Sequence, residues 1–469
     1  MNQATSFIKS SLVYFLGNIL VKLTSFIMLP IYTKYISPDK FGTYDLSIAY
    51  LTFFTSILFL DIWSGIMRFM FDYKEDGQEY KAIYNGMVIF GLSTILYILG
   101  ILTVGNYFEV EYMFLIFLYG LLMNIQNVFA YVVRAKGESL LFALSGLVGT
   151  LVIVVVNTVM LVGLQWDYSC LYISYCVGMI IQIIILNSKA KIIKKNWYSY
   201  LDIVVIKDMI KYSIPLAINS AAYWFLTSYN KVVISQKLTT IENGLYAVAG
   251  KFSVAINLIT SCFTLAWQEV AFKKGENKHN QAEFYSNACN LYLKFLGMGT
   301  VVIIPLIFIV FPYMINQSYI NALDIIPIYI LGTVASSFSL FLNSIFGAIK
   351  KTNIIFITTV VGSVVNVVFI NLLIDQWGLI SASISLFLGY LISNIIRLII
   401  LKKKINICID LKFLGLFVIL FLGTLLIYTT GNSLYNMIWI VLMIAISLII
   451  FREYISLIAK IIKQKLGVK

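Results

Sequence analysis

The chain has 469 residues, of which 34 are basic and 21 acidic for a net charge of +13, and only 12% are charged while 60% are hydrophobic. Soluble domains run at roughly 25% charged and 45–50% apolar, so a water-facing globular surface is excluded. Five cysteines (Cys170, Cys176, Cys262, Cys289, Cys408) without a close CxxC pair, and the single His279, argue against a disulfide framework or a Cys/His zinc site.

About 20 apolar residues let a helix cross the hydrocarbon core, and the chain offers fourteen such stretches. The first, Leu12–Thr33, carries Lys22 near its middle and Pro30 near its end, and is read as a retained helix rather than a cleaved signal. The second, Leu46–Met70, has Asp61 at its centre and Arg68 toward its end, with Asp72 one turn later as a local partner. Ile83–Val104, Tyr112–Val133, Leu141–Gly163 and Cys170–Leu186 complete a first set of six. The segment after them mixes Lys with Ile, Trp and Tyr, as either a linker or an interfacial amphipathic stretch does.

Tyr212–Val233 opens a second set, with Pro215 early and Lys231 near its far end; Ala247–Trp267 follows, with Lys251 inside it and Glu269 just beyond. Leu291–Tyr313 contains Lys294 and Pro305, and Ala322–Phe346, Ile354–Ile374 and Leu379–Ile400 complete the second six. Leu411–Tyr428 and Leu434–Phe451 form a terminal pair with charge-free interiors. The expected fold is thus an all-α polytopic membrane protein of about 14 transmembrane helices. Its division is 1–187 as an N-terminal six-helix lobe, 188–211 as a basic linker, 212–404 as a second lobe, and 405–469 as the helix pair with a basic tail.

With the N-terminus placed in the cytoplasm, 26 of the 34 basic residues, Arg397 among them, fall at cytoplasmic ends and loops. The positive-inside rule then puts both termini in the cytoplasm. The net charge is therefore topology and contact with anionic phospholipids rather than nucleic-acid binding.

The two halves echo one another. Gly42 and Tyr44 open the second span, and Gly244 and Tyr246 open the eighth, 202 residues later in both cases. Thr33–Ser37 resembles Asn230–Ser235, and Asn157 and Asn366 occupy matching later helices. Parallel repeats of this kind suit alternating access.

Charged groups inside a span usually face a cavity or a partner. Lys22, Arg68, Lys231 and Lys251 are candidates to line a cavity for an anionic substrate, since desolvated ammonium and guanidinium groups bind phosphate oxygens well. Asp61 and Glu269 are candidates for coupling or for charge pairing, and an Asp61 ion pair to Lys22 or Lys231 rivals proton coupling. Pro30, Pro215 and Pro305 each remove a helix hydrogen bond and permit kinks that could gate a pathway. No Walker A pattern and no cluster of metal ligands is found, so neither a metal nor a cofactor is expected.

The text SFIKSSLVYFLGNILVKLTSFIMLPIYTKYISPDKFGTYDL resembles the start of the Wzx-type oligosaccharide and polysaccharide flippases of the multidrug/oligosaccharidyl-lipid/polysaccharide exporter superfamily. The resemblance returns at Lys211–Ser253 and in TLAWQEVAFKK; within it, Pro30, Lys34, Gly42 and Tyr44 match, and Arg68 follows. It implies a bacterial inner-membrane protein that moves undecaprenyl-diphosphate-linked oligosaccharide to the outer leaflet for surface polysaccharide synthesis, such as O-antigen or capsule, with basic residues meeting the diphosphate. The family's Asp-Arg pair stands here as Asn230-Lys231, which weakens a cation or proton role for that pair. A proton, another ion or the membrane potential are the coupling candidates, and a polysaccharide polymerase or other assembly protein is the expected protein partner. A small-solute or drug exporter of the same superfamily, a membrane glycosyltransferase or polymerase, and a noncatalytic scaffold are the alternatives.

Overall fold

The computed structural model describes residues 24, 26–73, 78–107, 109–192, 197–276, 281–454 and 456, with the side chains of 262–276 described only in part. Helix follows helix, and no strand occurs among the described residues. Hydrocarbon requires this: without water, every backbone N–H and C=O needs a partner within its own segment.

In chain order the helices are α1 (Leu29–Tyr35), α2 (Pro38–Leu58), α3 (Ile62–Met70), α4 (Glu79–Tyr107), α5 (Met113–Ala135), α6 (Ser139–Thr158), α7 (Ser169–Ala190), α8 (Ile203–Thr227) and α9 (Tyr229–Lys237). Then come α10 (Thr240–Glu276), α11 (Gln281–Met314), α12 (Ile326–Ala348), α13 (Thr352–Trp377), α14 (Ile380–Ile405), α15 (Leu411–Thr429) and α16 (Ser433–Ile450). A π-helical turn, Val159–Gly163, extends α6, and a 3-10 segment, Gln317–Ile325, leads into α12. Among the described residues ten helical units are long and apolar enough to cross a membrane, and the bent pair α2–α3 makes an eleventh. The chain is a multi-pass, all-α membrane protein. The seventh and eighth expected spans fall in α8–α9 and in the 37-residue α10. The first span and Lys22 lie outside the described residues, apart from that span's last turns.

The second expected span is two helices rather than one. Leu60 and Asp61 both take left-handed backbone angles, with φ of 54° and 51°, and α2 meets α3 at 46°. Asp61 stands at the start of α3, where Ser64 donates a hydrogen bond to its carboxylate at 3.1 Å.

Within the first half, α7 packs on α5 and α6, and α3 on α4 and α5; within the second, α12 packs on α10 and α14, and α13 on α8 and α14. The most extensive seam between halves joins α2 to α10. There the helices approach through glycine: a Cβ on Gly42 would stand 1.9 Å from the Thr240 carbonyl oxygen, and one on Gly244 would stand 2.0 Å from that of Pro38. The contact is reciprocal, because 240 and 244 are 38 and 42 displaced by the same 202 residues. Small residues allow such backbone approach in a bilayer, and polar groups then tie it: Asn243 donates to the Gly42 carbonyl at 2.7 Å, and Thr240 bonds to the Asp39 carboxylate.

A second correspondence backs the first. Asn157 on α6 donates to the Tyr32 hydroxyl on α1 at 2.9 Å, while Asn366 on α13 donates to Asn230 on α9 at 2.8 Å. Each asparagine thus ties a later helix of its half to the end of that half's opening helix.

The terminal pair packs on α11, where Phe413 and Phe417 cover Gly297, and Tyr428 reaches the Leu323 carbonyl at 2.9 Å. The described end of the basic segment is docked on the first half: Trp197 and Tyr200 pack against Tyr84, and Lys81 pairs with Asp202 at 2.7 Å. At the opposite, lysine-poor end, Tyr168 and Lys40 hydrogen-bond to Glu111, with Lys40 at 3.1 Å, and hold its carboxyl below the usual range.

Candidate functional site

Just beyond the glycine seam, charge from the two halves meets. α8 ends at Thr227, and α9 restarts after Ser228. Asn230 is fully buried and fixes α9 to its own half, donating to the Ala382 carbonyl at 2.7 Å while accepting from Asn366. The next residue lies about 100° round the helix, and so Lys231 faces the other half. Its ammonium meets both carboxylate oxygens of Asp45 on α2 at 2.9 and 3.0 Å, with both side chains about four-fifths buried.

Lys251 on α10 stands seven residues after Gly244, two turns along the same helix face. It lies within the electrostatic reach of both Asp45 and Lys231, and no ion pair joins it among the described residues. Two lysines thus stand near one carboxylate at the seam, and only Lys231 is paired with it. An anion arriving there would compete with Asp45 for Lys231 alone.

A chamber of about 660 Å³ adjoins this cluster inside the second half, between α8, α10, α12 and α14. Its lining is rich in hydroxyl groups, among them Tyr223, Ser253, Tyr329, Thr333 and Ser336, with the amide of Asn257 beside them. Gly250, adjacent to Lys251, belongs to that lining, and Tyr329 also feels the charge of Asp45.

The other expected residues are dispersed. Arg68 is half exposed and pairs with Asp72 at 2.5 Å, the local i,i+4 arrangement, so it does not join the lysine pair at the seam. Asp61 sits at the α2–α3 break with Ser64 as partner and forms no ion pair with Lys231, which is taken by Asp45. The Glu269 side chain lies outside the described residues. Lys294 pairs with Asp410 at 3.4 Å. Pro30 is the second residue of α1, two after the turn residue Met28; Pro215 and Pro305 lie within the unbroken spans of α8 and α11, and α11 also holds Pro312.

Two residues escaped the sequence reading. Asp45 precedes the expected second span by one residue. Arg397, grouped by sequence with the basic cytoplasmic ends, is instead 2% exposed in the packing of α12, α13 and α14. Its signal was its distance from Lys402, more than a helical turn, which leaves it inside the apolar run.

Residues 7–268 match the family model described as a polysaccharide biosynthesis protein. No curated protein matches the sequence. Among solved structures, the fold is similar to that of a lipid II flippase MurJ in an inward closed conformation, at 16% identity over 95% of this chain and 100% of that one, with a TM-score of 0.73. It is also similar to a multidrug resistance MATE family transporter of the MOP superfamily. The inward-facing form gives 14% identity, 84% and 94% coverage and a TM-score of 0.61; the outward-facing form gives 15%, 86% and 95%, and 0.58.

Proposed function

The chain belongs to the polysaccharide biosynthesis protein family, and from that premise we propose that it is a flippase of the MOP superfamily carrying undecaprenyl-diphosphate-linked oligosaccharide from the inner to the outer leaflet of the bacterial cytoplasmic membrane. The observation that carries the reading is the Asp45–Lys231–Lys251 cluster, where the halves meet and two lysines stand near a single carboxylate. A diphosphate cannot cross hydrocarbon alone, whereas its isoprenoid tail never needs to leave it. Lys231 and Lys251 bind the diphosphate in place of Asp45, and two six-helix lobes rock about the seam while the tail stays in lipid. The step is transport without covalent chemistry.

Both termini are cytoplasmic in this reading, and the lysine-rich ends contact anionic phospholipids. The flipped product passes to a polymerase or another assembly protein outside. Direction comes from a proton, another ion or the membrane potential.

The test is reconstitution of the full chain in liposomes with labelled lipid-diphosphate oligosaccharide. Protein-dependent appearance of label in the opposite leaflet is expected, and imposed proton, sodium or potential gradients identify the driving force. Label that stays in its original leaflet under every gradient overturns the reading. Export of soluble drugs in place of the lipid would favour a solute exporter instead.

A further inference from the structure

Arg397 is a buried cation whose partners are all neutral. Its Nε donates to Thr358 Oγ1 at 2.7 Å; one terminal nitrogen reaches the Ser339 carbonyl at 3.2 Å and the Ser339 hydroxyl, and the other reaches the Ile355 carbonyl at 3.3 Å and Thr359 Oγ1 at 3.1 Å. No carboxylate pairs with it among the described residues. A full charge inside a membrane span without a counter-ion is costly and normally marks a ligand or ion pathway.

The space beside it has a shape that matters. A small cavity of about 40 Å³ touches Arg397, Ser339, Asn343 and Thr359, and shares Tyr223, Ser336, Leu340 and Tyr390 with the 660 Å³ chamber. The Asn343 side-chain oxygen is buried without a hydrogen-bond partner. By the same measure a water needs about 10–15 Å³, so the narrow end takes a group of a few heavy atoms and no ring. The wide part falls in the range of small-molecule sites, and hydroxyls, amides and tyrosine faces dominate its polar lining.

We propose that this chamber is a subsite for an acidic sugar of the transported glycan, the ring in the wide part and its carboxylate at the Arg397 end. The Ser339 and Thr359 hydroxyls, now acceptors from the guanidinium, rotate to donate to the carboxylate, while the carbonyls of Ser339 and Ile355 keep Arg397 in place. Neutral sugars fill the chamber without engaging the charge. The subsite rests on the flippase reading for its source of glycan, yet binding of a lipid-free sugar requires no flipping.

The experiment uses the purified full chain in nanodiscs, with calorimetry and thermal melting against cellobiouronic acid (glucuronic acid linked to glucose), cellobiose, acetate and chloride. The acidic disaccharide should bind at least about tenfold tighter than cellobiose, with no competition from acetate or chloride at equal concentration. Arg397→Lys, which keeps charge but loses the planar fork, should remove most of that preference while leaving cellobiose binding unchanged. Ser336→Leu narrows the chamber without removing the guanidinium and should weaken both sugars, which keeps the test valid where Arg397 variants fail to fold. Equal binding of both disaccharides, an unchanged Arg397→Lys protein, or acetate competing as well as the uronic disaccharide overturns the proposal. Flipping without discrimination between acidic and neutral glycans also overturns it; selective sugar binding without flipping leaves it standing and removes the transport reading instead.

Discussion

Asp45 and Lys231 nearly neutralise one another, so in the proposed flippase Lys251 is the lysine of the cluster left for the diphosphate without a paired carboxylate among the described residues. Lys251→Gln should therefore cut flipping of the diphosphate lipid at least about tenfold, an effect of about 1.4 kcal/mol, with little change in melting temperature. Asp45→Asn acts differently, because it removes the carboxylate with which the first half meets Lys231 and leaves both lysines of the second half without it. It should destabilise the closed seam by about 1–3 kcal/mol, and the reversed pair Asp45→Lys with Lys231→Asp should recover part of that loss in chemical or thermal melts. Unchanged melts in the Asp45→Asn protein would remove the pair from the closure. At the lysine-poor surface, Glu111 has a lowered pKa from the Tyr168 hydroxyl and the Lys40 ammonium. The stability that these contacts contribute is present above the unfolded carboxyl value of about 4.3 and disappears as pH falls through the lower folded value. The melting difference between the native chain and Glu111→Gln should hold constant from pH 7 to about 5 and shrink only in more acid solution. Much of this residue-level chemistry was readable in sequence: an ionisable group in an apolar run is visible, as Lys231 and Lys251 were. Asp45 was lost because it stands at Leu46's doorstep, and Arg397 because Lys402, Lys403 and Lys404 follow it and lend it the look of a snorkelling end group.

At the scale of elements, the seam depends on two absent side chains. Gly42→Val or Gly244→Val places carbon where a backbone oxygen of the other half stands, so α2 and α10 must part. Overpacking of this kind costs about 1–3 kcal/mol. Spin labels across the lysine-poor end should report a longer distance in either variant; an unchanged distance would mean that the helices adjust elsewhere. The pairing of Gly42 with Gly244 was hinted at by the repeated text, but not that these glycines touch, since an echo fixes equivalence and says nothing about contact. The break after α2 had no sequence signal. LFLDIW holds neither proline nor glycine, and Leu60 and Asp61 adopt left-handed angles that L-residues seldom take. Pro215 and Pro305, expected to permit kinks, lie within helical spans that continue past them.

For the molecule as a whole, alternating access predicts that the α2–α10 seam opens in every cycle. Asp39 and Thr240 hydrogen-bond across it, so a chain with Asp39→Cys and Thr240→Cys should stop flipping when oxidised and resume in reductant. Full activity in the oxidised form would exclude opening at this end. The helical plan was legible because hydrophobic length in a bilayer is a hard constraint, and thirteen of the expected spans coincide with helical units here. The chamber was not legible, because its hydroxyls come from four helices, and singly a serine or threonine in a span carries no message. One consequence follows from where the glycine contact sits. From Gly244 to Glu276, α10 extends 32 residues, about 48 Å at 1.5 Å per residue, with its pivot close to one tip. While the seam stays closed, a tilt of about 10° about that fulcrum shifts the glycines by a fraction of an ångström and carries the far tip through about 8 Å, whereas the other half of the cycle parts the glycines themselves. The seam thus works as the short arm of a lever, where tight packing at one membrane face and a wide mouth at the other are the same motion.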